Sequence, residues 1–365
     1  MKLIIQIPCL NEEKTLPSVL RDLPTCIDGI DVIETQVIDD GSMDRTAEIA
    51  QEAGVDYIIR FHHNSGLAAA FQAGVENALL HDADILVNTD GDNQYNGSDI
   101  TKLVCTMIEQ QADLVIGCRP IANHPEFSII KRWFQLLGSW VVRHVSNTTV
   151  PDTTSGFRAY SRQALLQLNI VTTFSYCLET IIQAGLANMK VAHTPICVNR
   201  KTRPSRLFRN IAWYIYRQLK TIVQMFIIYR SNEIFNTVSL TLILGAIGLS
   251  ARYMSLAIFE HADAGRFWPS IVLASVLAVL SGITYLSGML ASLLSAQRKI
   301  SEEMIYHLRC LNLKKSESGE LRNRSPQALR KGTLLCCSTP LADADDESGE
   351  GKEADPDPAE RSGTG

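Results

Sequence analysis

The nine scattered cysteines of this 365-residue chain include no CxxC pair and no His/Cys cluster at zinc-ligand spacing. Structural zinc is thereby excluded, and the pattern reads as a reducing compartment without structural disulfides; the adjacent Cys336 and Cys337 lie in a polar tail. No long apolar run opens the chain either. "MKLIIQIPCLNEE" turns polar after a few residues, too short for a signal peptide, so it is expected as a first strand, with the N-terminal domain in the cytosol. Acidic residues are missing altogether from Ile181 to Asn232, while Lys190, Arg200, Lys201, Arg203, Arg206, Arg209, Arg217, Lys220 and Arg230 are basic. A basic block beside a hydrophobic region suits an anionic membrane surface or phosphate ligands. From Pro340 onward the balance reverses to nine acids against Lys352 and Arg361, in a Gly/Pro/Ser-rich tail expected to be disordered.

What is present is a folded core and more. The chain exceeds the roughly 100 to 200 residues of one domain, which points to one large domain with appendages. Its first half alternates short apolar strands ("KLIIQIP", "ETQVIDD", "DYIIRF", "DILVNTD", "DLVIGCR") with helix-periodic segments ("NEEKTLPSVLRDL", "DRTAEIAQEA", "LAAAFQAGVENALL", "DITKLVCTMIEQQ"). Several of the latter open on Asn, Asp or Ser as N-cap candidates. That is the pattern of an α/β fold with a mostly parallel sheet covered by helices.

Ligands in such sheets bind outside the carboxyl ends of the strands. Three polar clusters fall there: "NEE" after the first strand, "DDGS" after the second and "DGDNQ" after the fourth. Any one of them makes a turn as readily as a site. Asp90 and Asp92, one residue apart at a strand end, are a candidate pair for one hard divalent cation, Mg²⁺ or Mn²⁺, with substrate phosphates completing the shell. Asp-Gly-Asp also occurs in plain turns and calcium loops.

After about residue 231 the character changes. Residues 234–259 and 267–294 are each apolar over a length that crosses roughly 30 Å of hydrocarbon, interrupted only by Arg252 near one end. A two-span membrane hairpin is expected, with two long core helices as the alternative. Basic residues flank the pair on the outside (Arg230, Arg298, Lys299), and the link "EHADAGR" has one Arg. The N-terminal domain and the tail are therefore expected on the cytoplasmic side. Residues 207–231, where Trp213, Tyr214 and Tyr216 neighbour Arg209, Arg217 and Lys220, suit helices lying in the headgroup region; a buried helix hairpin is the other reading.

Taken in order, "IPCLNEE", "VIDDGSMDRT", "NTDGDNQY", "DLVIGCR", "VPDTTSGFRAYSRQAL" and "RKTRPSRL" resemble the family-2 glycosyltransferases of the GT-A fold, most closely the dolichol-phosphate mannosyltransferase and polyprenyl-phosphate glycosyltransferase branch. The resemblance spans roughly residues 1–230. It implies a GT-A mixed sheet flanked by helices over residues 1–206, interfacial helices over 207–231, a two-span hairpin over 232–298 and a largely disordered cytosolic tail over 299–365.

The resemblance also implies roles. Pro8, Leu10 and Glu12 match a segment that lines the nucleotide pocket, and Ile38 and Asp40 match positions that contact base and ribose. Asp90, Gly91, Asp92 and Gln94 match the DxD motif and its following Gln, which hold the metal and the sugar diphosphate. Arg119 matches an arginine near donor and acceptor, while Arg200 and Arg206 match a basic pair contacting phosphates. Asp152, Ser155, Gly156, Phe157 and Arg158 match a "DxxSGFR" segment at the acceptor side of the cleft. An arginine's planar fork suits phosphate oxygens, so Arg119, Arg158, Arg200 and Arg206 are expected to bind a lipid phosphate and the donor diphosphate. Asp152 is a candidate for orienting the acceptor, and Glu179 for an acceptor-side polar residue or a plain helix-surface one.

Gly91 stands where Ala is commoner, Tyr95 where His or Asp is usual, and "NSGLAAAF" lacks a basic residue after its glycine; the first two bear on sugar fit and the last leaves donor choice open. The implied activity is inverting, metal-dependent transfer of a hexose from a nucleotide-diphospho-sugar of the GDP-mannose or UDP-glucose type to a polyprenyl (dolichyl or undecaprenyl) phosphate. Its partners are the donor, the lipid acceptor and the bilayer, with no nucleic acid, and a homo-oligomer stays open. Rival readings are a processive polysaccharide synthase, whose QxxRW pattern does not occur here, a soluble-acceptor transferase, and a non-catalytic nucleotide-sugar-binding membrane adaptor.

Overall fold

An apolar side chain at almost every position marks a strand that is covered on both faces. β1 (Lys2–Cys9) has that character and is buried along all but its first residue. The structure, a computed structural model, describes residues 1–120, 138–139, 142–143, 146, 148–170, 176–199, 211–259, 264–317 and 334–337. Around β1 assemble β2 (Val32–Asp39), β3 (Tyr57–Phe61), β4 (Ile85–Asn88), β5 (Leu114–Cys118), β6 (Arg158–Ser161), β7 (Val191–Pro195) and β8 (Leu334–Cys337). Their order across one sheet is β7-β5-β6-β4-β1-β2-β3-β8.

All pairings are parallel except those of β6, which runs antiparallel between β4 and β5. The sheet is thus mixed, as expected. Four residues are enough for β6 because both of its edges are hydrogen-bonded and its first three residues are buried.

Strand side chains alternate between faces, and the helices divide accordingly. Ile4 and Leu86 pack with α3 (Leu67–Leu80), α5 (Arg162–Gln167) and α6 (Tyr176–Leu186). On the other side Leu3, Ile5 and Val87 pack with α4 (Asp99–Gln110), and Ile7 and Val37 with α1 (Leu16–Arg21) and α2 (Thr46–Glu52). The expected N-caps did not form on the first four helices, which have no side-chain cap hydrogen bond. Asp44 accepts from the amide of Thr46, the first residue of α2, and also from the Glu13 amide, while Asp99 accepts from the Cys197 amide at 2.6 Å. Ser161 does cap its helix: its hydroxyl accepts from the Ala164 amide at the start of α5.

Two long helices follow, α7 (Ile211–Phe259) and α8 (Ala264–Glu317), packed against each other. Within them Asn232–Leu256 and the stretch beginning at Trp268 are long and apolar enough to cross a membrane, by length and composition. Their outward faces leave Leu240, Leu244, Ile247, Val279, Leu290, Leu293 and Leu294 more than half exposed or nearly so, which sets them apart from the core helices of a water-soluble domain.

Two boundaries differ from the sequence expectation. Of residues 207–231, expected as separate interfacial helices, those from Ile211 on are the first part of α7, since no Gly or Pro interrupts the chain between Ile211 and Leu244, and 207–210 lie outside the described residues. Within residues 299–365, expected as a largely disordered tail, residues 299–317 continue α8 and Leu334–Cys337 pair with β3 as β8. One face of that continuation, Glu302, Ile305, Tyr306, Arg309 and Leu313, recurs at helical spacing and is partly buried.

Candidate active site

The strands β1, β2 and β4 end together, and their loops are laced by hydrogen bonds. Asn11, in the left-handed region at φ 55, donates its amide to Ser42 Oγ at 2.8 Å and accepts from the Met43 amide at 2.9 Å. The Glu12 amide donates to Thr46 Oγ1 at 2.8 Å, and the buried Glu12 carboxylate accepts from Thr15 Oγ1 at 2.7 Å. Pro8 and Leu10 lie on either side of Cys9 at the exit of β1.

Asp40 is held in a different way from the sequence expectation. Its two carboxylate oxygens accept from the amides of Ser65 (2.7 Å) and Gly66 (3.0 Å), closing the 64–66 loop over the end of β2. Burial pushes its acidity down, raising the pKa above the usual carboxylate value despite those two amides. Ile38 does not reach a pocket at all: it is fully buried among Ile59, Phe61 and Ala70.

At the end of β4 stand Asp90 and Asp92. The Asp92 carboxylate accepts from the Gln94 amide at 3.0 Å, a tight turn that puts both acids and Gln94 on one short loop. Without a counter-ion the Asp90 carboxyl is pushed up to about 7, by burial first and by the charge of Asp92 and Glu12, with Arg119 pulling the other way. Asp90 and Asp92 on one loop offer hard carboxylate oxygens of the kind a divalent cation prefers. Among the described residues no three His, Cys, Asp or Glu side chains converge on one point, so substrate oxygens would have to complete such a shell.

The loop is pinned from two sides. Asn93 takes a left-handed conformation at φ 59, and Asn199 Nδ2 donates to its carbonyl at 3.2 Å. The Asn199 amide donates to the Gln94 carbonyl at 2.9 Å, so the described chain runs up to Arg200 alongside the acidic loop. Arg200 and Arg206 themselves lie outside the described residues. Tyr95 is buried; its ring stacks on Phe157 at 5.0 Å and its hydroxyl accepts from the Gly156 amide at 3.2 Å. It ties the acidic loop to "SGFR" from inside the domain.

The glycines explain the fit. A Cβ on Gly91 would stand 2.8 Å from Cys9 Sγ and 3.3 Å from the Pro8 carbonyl, so this position faces β1 and not the cleft. A Cβ on Gly156 would stand 2.9 Å from Tyr176 Oη and 3.1 Å from Asp90 Oδ1. The motif glycine therefore makes room for the metal-site candidate across the sheet.

Arg119, partly exposed, and the buried Asp152 form a two-pronged pair: Nε to Oδ2 at 2.7 Å and Nη2 to Oδ1 at 3.2 Å, with Thr154 Oγ1 accepting from Nη2 at 2.9 Å. Burial would raise Asp152, but Arg119 and its hydrogen bonds hold it below the usual carboxylate range. Asp152 is thus an ionised group that aims a guanidinium, and it is occupied in doing so.

Arg158 corrects the expectation most plainly. It is fully buried, with donations to the carbonyls of Ser155 (2.7 Å), Thr153 (2.9 Å) and Cys177 (2.7 Å) and to Thr180 Oγ1 (2.7 Å). A guanidinium so used cannot bind a phosphate; it stitches the "DTTSGF" loop to α6. Ser155 is likewise buried, its Oγ accepting from the Phe157 amide at 3.4 Å. Glu179 is also buried, not on an open helix face.

A row of buried amides went unnoticed in the motifs. Asn77 Nδ2 donates to Gln36 Oε1 (2.8 Å), Gln36 Nε2 to Gln6 Oε1 (3.0 Å), Gln6 Nε2 to Asn88 Oδ1 (3.1 Å), and Asn88 Nδ2 to the Gly156 carbonyl (3.0 Å) and Tyr176 Oη (2.8 Å). It crosses the sheet from α3 to the residue beside Asp90, and every link is satisfied, as a buried polar network must be. Gln6 in the middle of the apolar β1, facing Gln36 in β2, was the signal for it.

A sequence profile of Glycosyl transferase family 2 matches residues 4–168. An uncharacterised glycosyltransferase of Mycobacterium tuberculosis is 30% identical over 199 residues, 54% of this chain and 85% of that protein. A dolichyl-phosphate hexose transferase of Haloferax volcanii is 28% identical over 197 residues, 54% of this chain and 82% of the relative. Among solved structures, glucosyl-3-phosphoglycerate synthase from Mycobacterium tuberculosis, crystallised with Mn²⁺, UDP and glucosyl-3-phosphoglycerate, superposes with a TM-score of 0.47 at 20% identity, covering 60% of this chain and 79% of that one. A profile match across the mixed sheet, joined to 30% identity over most of a relative's own length, makes the chain a member of glycosyl transferase family 2, a glycosyltransferase of GT-A fold.

Proposed function

We propose that the protein transfers a hexose, with inversion, from a nucleotide-diphospho-sugar to the phosphate of a polyprenol held in a membrane. The observation that carries this reading is a family-2 domain whose acidic strand end is joined to two long helices with exposed apolar faces. The relative from Haloferax volcanii, named as a dolichyl-phosphate hexose transferase, points the same way.

Asp90, Asp92 and Gln94 would hold Mg²⁺ or Mn²⁺, which when bound supplies neutralising charge to the departing diphosphate. Pro8, Leu10, Glu12 and Asp40 frame the nucleotide end of the cleft, with Asp40 acting through the loop that it closes. Arg119, aimed by Asp152, meets phosphate oxygens, together with Arg200 and Arg206. A phosphate monoester is already largely ionised near pH 7, so no strong general base is required. Asp152, already committed to Arg119, is an orienting residue. The hairpin crosses the bilayer with the catalytic domain on the cytoplasmic side, because Arg298 and Lys299 flank one end while the link at the other holds Arg266 alone.

The test is incubation of the purified full-length protein in vesicles carrying polyprenyl phosphate, with a panel of nucleotide-sugars and Mg²⁺ or Mn²⁺, and mass spectrometry of the lipid. One hexosyl-phospho-polyprenol is expected. Asp92→Ala should lower its formation by about 10²–10³ with membrane recovery unchanged. Sugar appearing on a soluble acceptor or as polymer, or undiminished transfer by Asp92→Ala under chelation, would sink the reading.

A further inference from the structure

Glu179 is a charge that the sheet domain buries, at 1% side-chain exposure, and the arginine paired with it comes from the membrane helix. Arg298 Nη2 lies 3.5 Å from Glu179 Oε1, and Arg298 Nε lies 2.7 Å from Glu302 one turn on. Gln183 Nε2 also donates to the Glu179 carboxylate, at 3.3 Å. Eleven residues further along α8, about 16 Å along a helix axis, Arg309 Nη1 donates to three carbonyls, those of Leu165 (3.2 Å), Leu166 (3.1 Å) and Leu168 (2.8 Å). These are the end of α5, where a helix leaves carbonyls without partners inside itself. Leu313, one turn beyond, packs against the core that contains Leu165, Tyr160 and Tyr176.

We propose that residues 298–313 are a brace that holds the catalytic cleft at headgroup depth, with Arg298 and Arg309 as positioning residues for a membrane-borne acceptor phosphate. This rests on the reading of the acceptor given above. Two arginines gripping the domain at two heights fix both its distance from the bilayer and its tilt. An apolar contact alone tolerates a slide of a residue or so; a guanidinium on one helix end and a second on one buried carboxylate do not.

The height that results is the useful one. Leu294 is the last strongly exposed apolar residue before Arg298, at 66%. Four residues of helix span about 6 Å, the depth of a headgroup layer of about 5 to 8 Å. At that level Arg298 meets α6, and one turn back along α6 is Tyr176, whose hydroxyl donates to the Gly156 carbonyl beside Asp90. The exit of the membrane helix and the acidic strand end are thus connected through a single turn of one buried helix.

The experiment compares two acceptors with full-length protein in vesicles: long-chain polyprenyl phosphate in the bilayer, and a water-soluble isoprenyl phosphate of two isoprene units. The double variant Arg298→Gln, Arg309→Gln should lower kcat/KM for the bilayer acceptor about tenfold, chiefly through KM. Turnover of the soluble acceptor and KM for the nucleotide-sugar should stay within about twofold. Arg298→Lys should recover most of the loss, as a point charge still pairs with Glu179, whereas Arg309→Lys should recover little.

Equal losses on both acceptors would reduce the contacts to ordinary stabilisation, and no loss on either would remove the brace. Hydrogen exchange in nanodiscs reads the contact without any substrate. Arg309→Gln should speed exchange of the amides at 166–170; unchanged exchange there overturns the brace. If the wild-type protein glycosylates neither acceptor, the functional reading falls, and the exchange measurement still decides the brace.

Discussion

Arg158 and Ser239 are both buried polar residues, one inside the sheet domain and one between the two long helices, and they use their hydrogen bonds differently. Arg158 spends four donations on joining a loop to a helix. Ser239 and Ser281 exchange bonds at the α7–α8 contact, each hydroxyl donating to the other's carbonyl, at 3.1 and 2.9 Å, and the carbonyls they meet already serve their own helices. In the first region hydrogen bonds create the architecture around the site. In the second the backbone is satisfied within each helix, as any segment in hydrocarbon requires, and side-chain bonds only trim the packing.

The strongest way to break that contrast is Arg158→Met. Deleting the guanidinium leaves the Ser155, Thr153 and Cys177 carbonyls without it in a buried place, at about 1–3 kcal/mol for each acceptor that finds no new partner. A loss of about 3–5 kcal/mol follows, read by thermal unfolding of the full-length protein in detergent. Where the variant is kept folded by cooling, KM for donor and acceptor should move little. A rise of tenfold or more in either with stability intact would restore Arg158 to the phosphate site.

The same residue shows what was readable beforehand and what was not. The motif marked Arg158 and Ile38 as important, but a motif carries no sense of which way a side chain points. Arg158 opens a four-residue strand that is covered on both edges, and Ile38, the penultimate residue of β2, is still fully inside the sheet. That Asp90, Asp92 and Gln94 share one short loop past the end of β4 was legible, because an apolar run followed at once by acids and glycine marks where a strand leaves the sheet. β6 was not legible: Arg-Ala-Tyr-Ser is too short and too polar for an apolar-run criterion, and only pairing on both sides makes it a strand. Helix α7 was misjudged at its start because aromatic and basic residues suggested the membrane surface, while the lack of any breaker before Gly245 let the helix run on.

A sharper probe of the sheet side is Gly91→Ala. Its new methyl meets Cys9 Sγ at 2.8 Å and the Pro8 carbonyl at 3.3 Å, and overpacking of this kind costs about 1–3 kcal/mol. Pairing it with Cys9→Ala removes the nearer obstacle, so the double variant should be more stable than Gly91→Ala alone, with a coupling of about 1 kcal/mol in a double-mutant cycle. Additive effects would mean that the acidic loop moves away from β1 instead of pressing on it. The outcome also decides whether this glycine bears on sugar choice: in the double variant the preference among nucleotide-sugars should match the wild type.

The smallest effect belongs to Ser239→Ala. Ser239 is 8% exposed and loses both a donation to the Ser281 carbonyl and a contact with the Ser281 hydroxyl at 3.0 Å. In water-filled surroundings such a loss would weigh as heavily as any buried hydrogen bond. For the membrane hairpin proposed above the expected cost is about 0.6 kcal/mol, since separated helices in lipid also find partners for these hydroxyls, and close approach of the backbones at Gly288, where a Cβ would meet Phe235 Cβ at 2.7 Å, holds the pair together. Steric trapping or chemical unfolding of the full-length protein in bicelles measures this. A cost above about 2 kcal/mol would mean that the hairpin, like the sheet domain, is organised by its polar contacts, and that the two regions differ in solvent but not in design.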